Sequence, residues 1–179
     1  TLNGEEIDFT GGHGYIEKDW GRSFPNCWVW MQCNHFTDRD GLRHPATSLT
    51  ASIAKIPWLG RSFPGFIVGL LHAGVLYRFT TYKSGRVTSL SADQDRVVWV
   101  LENRHHRLAL TVDRAPTTRL PGPTIDGMNR DVHETLAANI EIELTQRRGG
   151  AVILHAHGTS AGLEVMGDIE TLAPRKRRA

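Results

Sequence analysis

The sequence predicts an all-β chain folded as an antiparallel barrel or sandwich, on three observations. Turn punctuation recurs along the whole length, in stretches such as "DRDG", "PWLG", "KSGR", "QRRGG" and "HGTSAG". Between the marks sit short segments rich in Val, Ile, Thr, Tyr, Phe and Trp, residues that suit a pleated, half-buried surface. Alternation is clearest in Ile140, Ile142 and Leu144 against Glu141, Glu143 and Thr145, which places the apolar set on one strand face.

In chain order, "GYIEKDWGRSFP" (Gly14–Pro25) opens with strand formers around three charges, Glu17, Lys18 and Asp19. The aromatic run "CWVWMQCNHF" (Cys27–Phe36) follows. If "GRSFPN" joins the two as a hairpin with an even-length loop, Asp19 faces Trp28, Glu17 faces Trp30, Tyr15 faces Gln32 and His13 faces Asn34. "VLYRFTTYKSGRVTSL", "RVVWVLENRHHRLALTV" and "NIEIELTQRRGGAVILHAHG" each read as further hairpins. "APTTRLPGPTIDGMNRDVHETLA", with three prolines, is the one long irregular stretch. It holds either a short helix near Asp131–Leu136 or a flap across one end of the sheet. No repeat or linker divides the chain, so residues 1–172 form one domain and 173–179 a basic tail.

A chain of 179 residues has the length of one ordinary domain with a real core. Its net charge of +2 hides an asymmetry, because Arg175, Lys176, Arg177 and Arg178 crowd the end. Without those four, 17 basic residues face 19 acidic ones, so the body is slightly acidic. Nucleic-acid binding needs a basic patch on the folded body, and none is predicted. The tail reads as a solvated, disordered end, or else as a weak contact with anionic membrane lipid.

Cys27 and Cys33, if both lie in one strand, are separated by roughly 20 Å and are expected as free thiols. The longest apolar stretch, "FIVGLLHAGVLY", is too short and interrupted for a membrane helix, and no signal-peptide pattern is visible. The expected location is the cytoplasm or the periphery of a membrane. The first residue is Thr1 rather than Met, which suggests a processed or excised piece.

On the predicted register, one wall carries Glu17 and Asp19 with His13, Tyr15, Trp28, Trp30, Gln32 and Asn34. Two carboxylates, an imidazole, a phenol, two indoles and two amides make an unusual core but a plausible pocket. The plainer alternative pairs Glu17 and Asp19 with Lys18 or Arg22 at a sheet rim and leaves Trp20 as packing. No glycine-rich phosphate loop is present, so hydrophobic ligands are expected over nucleotides.

These residues carry a resemblance. "GGHGYIEKDWGRSFPNCWVWMQCNHF", "ASIAKIPWLGRSFPGFIVGLLHAGVLYRFTTY" and "AGLEVMGD" resemble the tocopherol cyclase-like family, through nearly the whole chain and in order. Members are usually longer, and the chain resembles their C-terminal half, which implies a missing N-terminal half or a second chain as partner. The resemblance implies a lipocalin-like, calycin-type barrel acting on a hydrophobic small molecule, a prenylated quinol or terpenoid. The implied reaction closes a chroman ring without redox change or cofactor.

In that reaction an acid protonates an alkene, a tertiary cation forms, and the phenol oxygen attacks and loses its proton. Glu17 and Asp19 would repel in an apolar pocket, keeping one of them protonated as the acid. Trp28 and Trp30 would offer π-faces to the cation. Tyr15, Gln32 and Asn34 would orient the quinol hydroxyls, and His13 would take the phenolic proton. A second reading is a lipocalin-like carrier that binds such a molecule without turnover, its acids structural. A third is an isolated structural domain completed by another chain.

Other candidates carry less. Glu164 in "AGLEV" suits a rim or hydrogen-bonding role as well as a catalytic one. His155 and His157 share a strand face at a spacing that metals use, but no third ligand is evident, so no metal is expected. Phe66, Tyr77, Phe79 and Trp99 read as core or pocket lining.

Overall fold

Period-two alternation and frequent turns produce eleven strands and almost nothing else. A computed structural model of the chain describes residues 1–18 and 23–174. The strands are β1 (Trp28–Cys33), β2 (Phe36–Thr37), β3 (Ser48–Trp58), β4 (Arg61–His72), β5 (Val75–Thr80) and β6 (Arg86–Ala92). They continue with β7 (Arg96–Glu102), β8 (His106–Asp113), β9 (Thr118–Thr124), β10 (Gly127–Gln146) and β11 (Val152–Met166). Two 3₁₀ turns, Thr81–Lys83 and Ile169–Leu172, complete the list among the described residues.

All ladders are antiparallel, in the order β5-β4-β3-β1-β11-β10-β8-β7-β6. β2 runs on from β1 beside β11, and β9 lies beside β10 beyond the end of β8. The sheet curls in a barrel-like way without closing. Its two edges, β5 and β6, are consecutive in sequence and joined through Thr81–Lys83, yet no ladder pairs them among the described residues. Across the curl, Asn103 at the β7–β8 turn donates to the Arg78 carbonyl at 3.0 Å, and the Tyr77 and His106 rings meet edge to face at 5.0 Å.

The inner face holds one continuous core. Met31, Ile53, Phe79, Trp99, Leu110 and Ile142 are fully buried there, each from a different strand. Burying such side chains is worth about 1.5–3 kcal/mol apiece, which explains why the sheet curls rather than lying flat. The Ile169–Leu172 turn adds Ile169 and Leu172 to the same core. Asp168 starts that turn by accepting from the Glu170 N–H at 3.2 Å.

The central strands change face together. In β1 the odd residues Val29, Met31 and Cys33 point into the core, but beyond the break at Asn34–His35 the inward residue is Phe36. In β10 the ladder shifts register around Ala138, so Thr135 is buried before the shift while Ala138, Ile140 and Ile142 are buried after it. In β11 the inward set passes from Leu154, Ala156 and Gly158 to Ala161 and Leu163 across Ser160, whose φ is 53°. Each bulge reverses which alternate residues face out. The outer face beyond this band therefore carries Trp28, Trp30, Gln32, Glu134 and Glu164.

The structure corrects three expectations. No hairpin joins Gly14–Lys18 to β1, because both edges of β1 are already taken, by β3 and β11. Residues 6–18 instead run over the outer face without regular structure. The segment read as irregular, or as a helix near Asp131–Leu136, is the β9–β10 hairpin, whose prolines Pro121 and Pro123 lie on the outermost strand of that end of the sheet. β5 and β6 are sheet edges rather than a hairpin, whereas β7–β8 and β10–β11 do pair as hairpins. Of the basic tail, Arg175, Lys176, Arg177 and Arg178 lie outside the described residues.

Cys27 and Cys33 are free and buried. Burial pushes both thiols up, and Cys27 donates to the Asp168 carbonyl at 2.9 Å. Both should resist a thiol reagent in the native state and react on unfolding without prior reduction. A mass consistent with a Cys27–Cys33 bond would contradict the structure.

Candidate functional site

Core side chains fill much of the inner face, where a hollow of about 1650 Å³ opens between β4, β6 and the Ile169–Leu172 turn. The wall of carboxyls and indoles lies on the outer face of the central strands. A cavity of about 790 Å³ sits there, floored by β1, β3, β10 and β11 and covered by the N-terminal segment. Its size is in the range of small-molecule sites, which run from about 300 to 1,000 Å³.

Glu134 of β10 and Glu164 of β11 are directly opposite in the ladder, and both line the cavity. Partial burial pushes the Glu134 carboxyl up from the usual carboxylate range. Glu164 accepts from the Trp28 indole N–H at 2.6 Å. The second indole, Trp30, donates to Glu17 at 3.1 and 3.3 Å to its two oxygens. Tyr15 also donates to Glu17, and its hydroxyl lies 3.1 Å from Thr50 Oγ1 on β3. Asn34 Nδ2 donates to the Gly14 carbonyl at 3.1 Å. The cover is therefore tied to the wall by side chains rather than by a ladder.

Arg130 of β10 holds the far end of that cover. Its guanidinium donates to the carbonyls of Phe24 and Pro25 and to Asn26 Oδ1, at 3.2, 2.5 and 3.1 Å. It also lies 5.8 Å from the centre of the Trp28 ring, so one face of that indole is already engaged. Trp30 is only half-buried, and its ring lines the cavity. Gly162 makes this possible. A Cβ there would lie 2.9 Å from Cζ3 and 3.1 Å from Cη2 of Trp30, and 3.2 Å from Gln32 Cγ.

Gln32 is 8% exposed, and its Oε1 has no hydrogen-bond partner among the described residues. A buried acceptor without a donor is uncommon and points to a partner from outside the fold. His35 Nδ1, also in the cavity wall, is in the same condition.

The family model described as tocopherol cyclase-like matches residues 1–167. The chain belongs to the tocopherol cyclase-like family. A rice protein (Oryza sativa subsp. japonica) named as a probable chloroplastic tocopherol cyclase is 29% identical over 174 residues, covering 92% of this chain and 36% of its own length. The chloroplastic tocopherol cyclase of maize (Zea mays) is 30% identical over 179 residues, covering 92% of this chain and 35% of its own length. The chain thus spans about a third of the length of these relatives. No solved structure matches the chain.

Of the residues singled out in the sequence, His13, Tyr15, Glu17, Trp28, Trp30, Gln32 and Asn34 all line this cavity. Glu17 meets Trp30 without the hairpin that was expected to bring them together. Glu17 and Lys18 are exposed, while Asp19, Trp20 and Arg22 lie outside the described residues. Sequence reasoning missed Glu134 and His35. The bulges hide both, since period-two counting from Ile140 puts Glu134 in the core and counting from Cys33 puts His35 there.

Away from the cavity, Glu141, His155 and His157 bring three potential metal-binding atoms within 4.8 Å of one another, so a third donor does stand beside the histidine pair. Arg39 opposes a cation there. Its Nε donates to His155 Nδ1 at 3.0 Å, which leaves the ring proton on Nε2, 2.5 Å from Glu141. That hydrogen bond is also the main reason the Glu141 carboxyl is lowered. Zinc should barely change the melting temperature of the wild type but raise it in Arg39→Ala, and a large rise in the wild type would sink this reading.

Gly162→Ala should displace the Trp30 ring and break its bond to Glu17. Overpacking of this kind costs about 1–3 kcal/mol. The check is a melting curve beside the tryptophan emission spectrum, and an unshifted spectrum at full stability would show that the ring has room to spare.

Proposed function

We propose that this chain carries the chemistry of an intramolecular cyclase that closes a chroman-type ring on a prenylated hydroquinone or similar terpenoid lipid. The observation that carries the reading is a half-buried carboxyl, Glu134, set directly across the ladder from a second carboxyl, Glu164, in an indole-lined cavity. Membership of the tocopherol cyclase-like family supports it.

Glu134 is assigned as the acid. Burial favours its protonated form. Glu164, held by the Trp28 N–H, is assigned as the ionised partner. Proton transfer from Glu134 to the CH carbon of the trisubstituted alkene leaves a tertiary cation. The Trp30 ring in the cavity wall stabilises that cation by about 0.5–2 kcal/mol. The phenol oxygen then attacks the cationic carbon and releases its proton, so the product is an isomer of the substrate and no electrons are exchanged.

Gln32 Oε1 is free to accept from a quinol hydroxyl, and Asn34 and Tyr15 flank the same wall. His13 and His35 are the imidazoles placed to receive the phenolic proton. Glu17, the acid proposed from sequence, keeps a role in closing the cover through Trp30 and Tyr15. Its proposed partner Asp19 lies outside the described residues. A carrier that binds the same ligand without turnover is the second reading, because the cavity would suit either task.

Incubation with a prenylated hydroquinone, with the chroman product measured beside ligand binding, separates the two. Glu134→Gln should lower turnover by roughly 10²–10⁴-fold with binding nearly unchanged. Turnover of the wild type should fall as pH rises through the raised value of Glu134, since only the protonated acid donates. Wild-type binding without any chroman favours the carrier, and full activity in Glu134→Gln removes that residue from the mechanism.

A further inference from the structure

The β3–β4 turn is built against two preferences at once. It is a two-residue turn, Leu59–Gly60, with φ of 46° and 74°. Both positions are left-handed, an arrangement that favours Asn-Gly and disfavours leucine. Yet Leu59 is 89% exposed, and Trp58 beside it is 66% exposed. A strained backbone carrying exposed apolar side chains gains nothing within this fold, so its benefit lies in a contact outside it.

Charge indicates what that contact is. Between Asp40 and Asp93 the sequence has no aspartate or glutamate, but it has Arg43, Lys55, Arg61, Arg78, Lys83 and Arg86. This stretch spans β3, β4, β5 and β6 and holds cations without anions of its own. Of these cations only Arg86 is paired, with Glu102 of β7, among the ion pairs of the described residues. Lys55 and Arg61 flank the tip, both exposed, and neither joins an ion pair among the described residues. A tryptophan and a leucine at a tip beside Arg61, with Lys55 further along β3, match the headgroup boundary of an anionic bilayer. The same face of β4 adds Phe63, Ile67 and Leu71, all exposed.

The tip also adjoins the cavity. Trp58 shares the outer face of β3 with Ile56, Ala54 and Ser52, which form the β3 part of the cavity wall. We propose that Trp58 and Leu59 insert into the headgroup region of an anionic lipid bilayer and set the cavity wall against the membrane surface. An amphiphilic ligand would then pass along β3 between bilayer and cavity. Docking stands on the tip and its charge alone, and only this delivery step rests on the cyclase reading.

The test is co-sedimentation of the full chain with phosphatidylcholine vesicles, with and without phosphatidylglycerol. The chain should bind the anionic vesicles, weakly bind the neutral ones, and be released by salt. Leu59→Asn is the decisive variant, because Asn-Gly suits the turn. It should fold at least as stably as the wild type yet bind anionic vesicles about tenfold more weakly, as should Trp58→Ser. No binding to either vesicle, or unchanged binding by both variants, overturns the proposal. Self-association through the tip without vesicle binding also overturns it, in favour of a protein partner. Glu134→Gln should bind vesicles like the wild type, so failure of the cyclase reading leaves this result intact.

Discussion

The shared change of face in the three central strands is the constraint on which the site depends. Without it, period-two alternation in β10 and β11 would send Glu134 and Glu164 into the same core as Ile140 and Leu154. Two carboxyls in that interior would be prohibitively costly. The bulge at Ala138 and the left-handed Ser160 lie at the same level of the sheet, since Ala138 pairs with Ala161. The break at Asn34–His35 adjoins them, with the Thr159 N–H donating to the His35 carbonyl at 3.1 Å. A bulge in one strand alone would leave its neighbours facing the wrong way. Aligned, they divide the sheet into an end that serves the core and an end that serves the cavity.

That division explains what the sequence made legible and what it did not. The all-β class was readable because turns and β-branched segments are local signals, and so were β7–β8 and β10–β11. The wall from Trp28 to Asn34 was readable because alternation within β1 is unbroken over its six residues. Glu134 was not readable, because its place depends on a register shift that no local preference announces. The prolines of Thr118–Thr124 argued for irregularity, yet an outermost strand tolerates them where a central one would not. The failed hairpin at Gly14–Lys18 has a different cause. Whether a strand former pairs depends on a free edge, and β1 has none.

The carboxylates of the cavity are treated differently from one another. Glu164 and Glu17 each accept an indole N–H. Partial burial raises the Glu134 carboxyl. Acids of one chemical kind thus sit in different surroundings, one raised by burial and the others holding an indole N–H.

This sheet carries its cavity of carboxyls and indoles on the outer surface. Met31, Phe79 and Trp99 fill much of the inside where a ligand-holding barrel would keep its cavity. An outer-face cavity needs a cover, and here it is the chain's own first residues, fastened by Tyr15, Glu17 and the Arg130 clamp. Because those fastenings are side-chain bonds to the wall itself, a ligand that reaches the indoles must compete with Glu17 for Trp30. Entry and fastening therefore share the same groups. The cover can yield to a ligand without any loss of backbone pairing in the sheet, so the fold's stability is decoupled from the opening of its site.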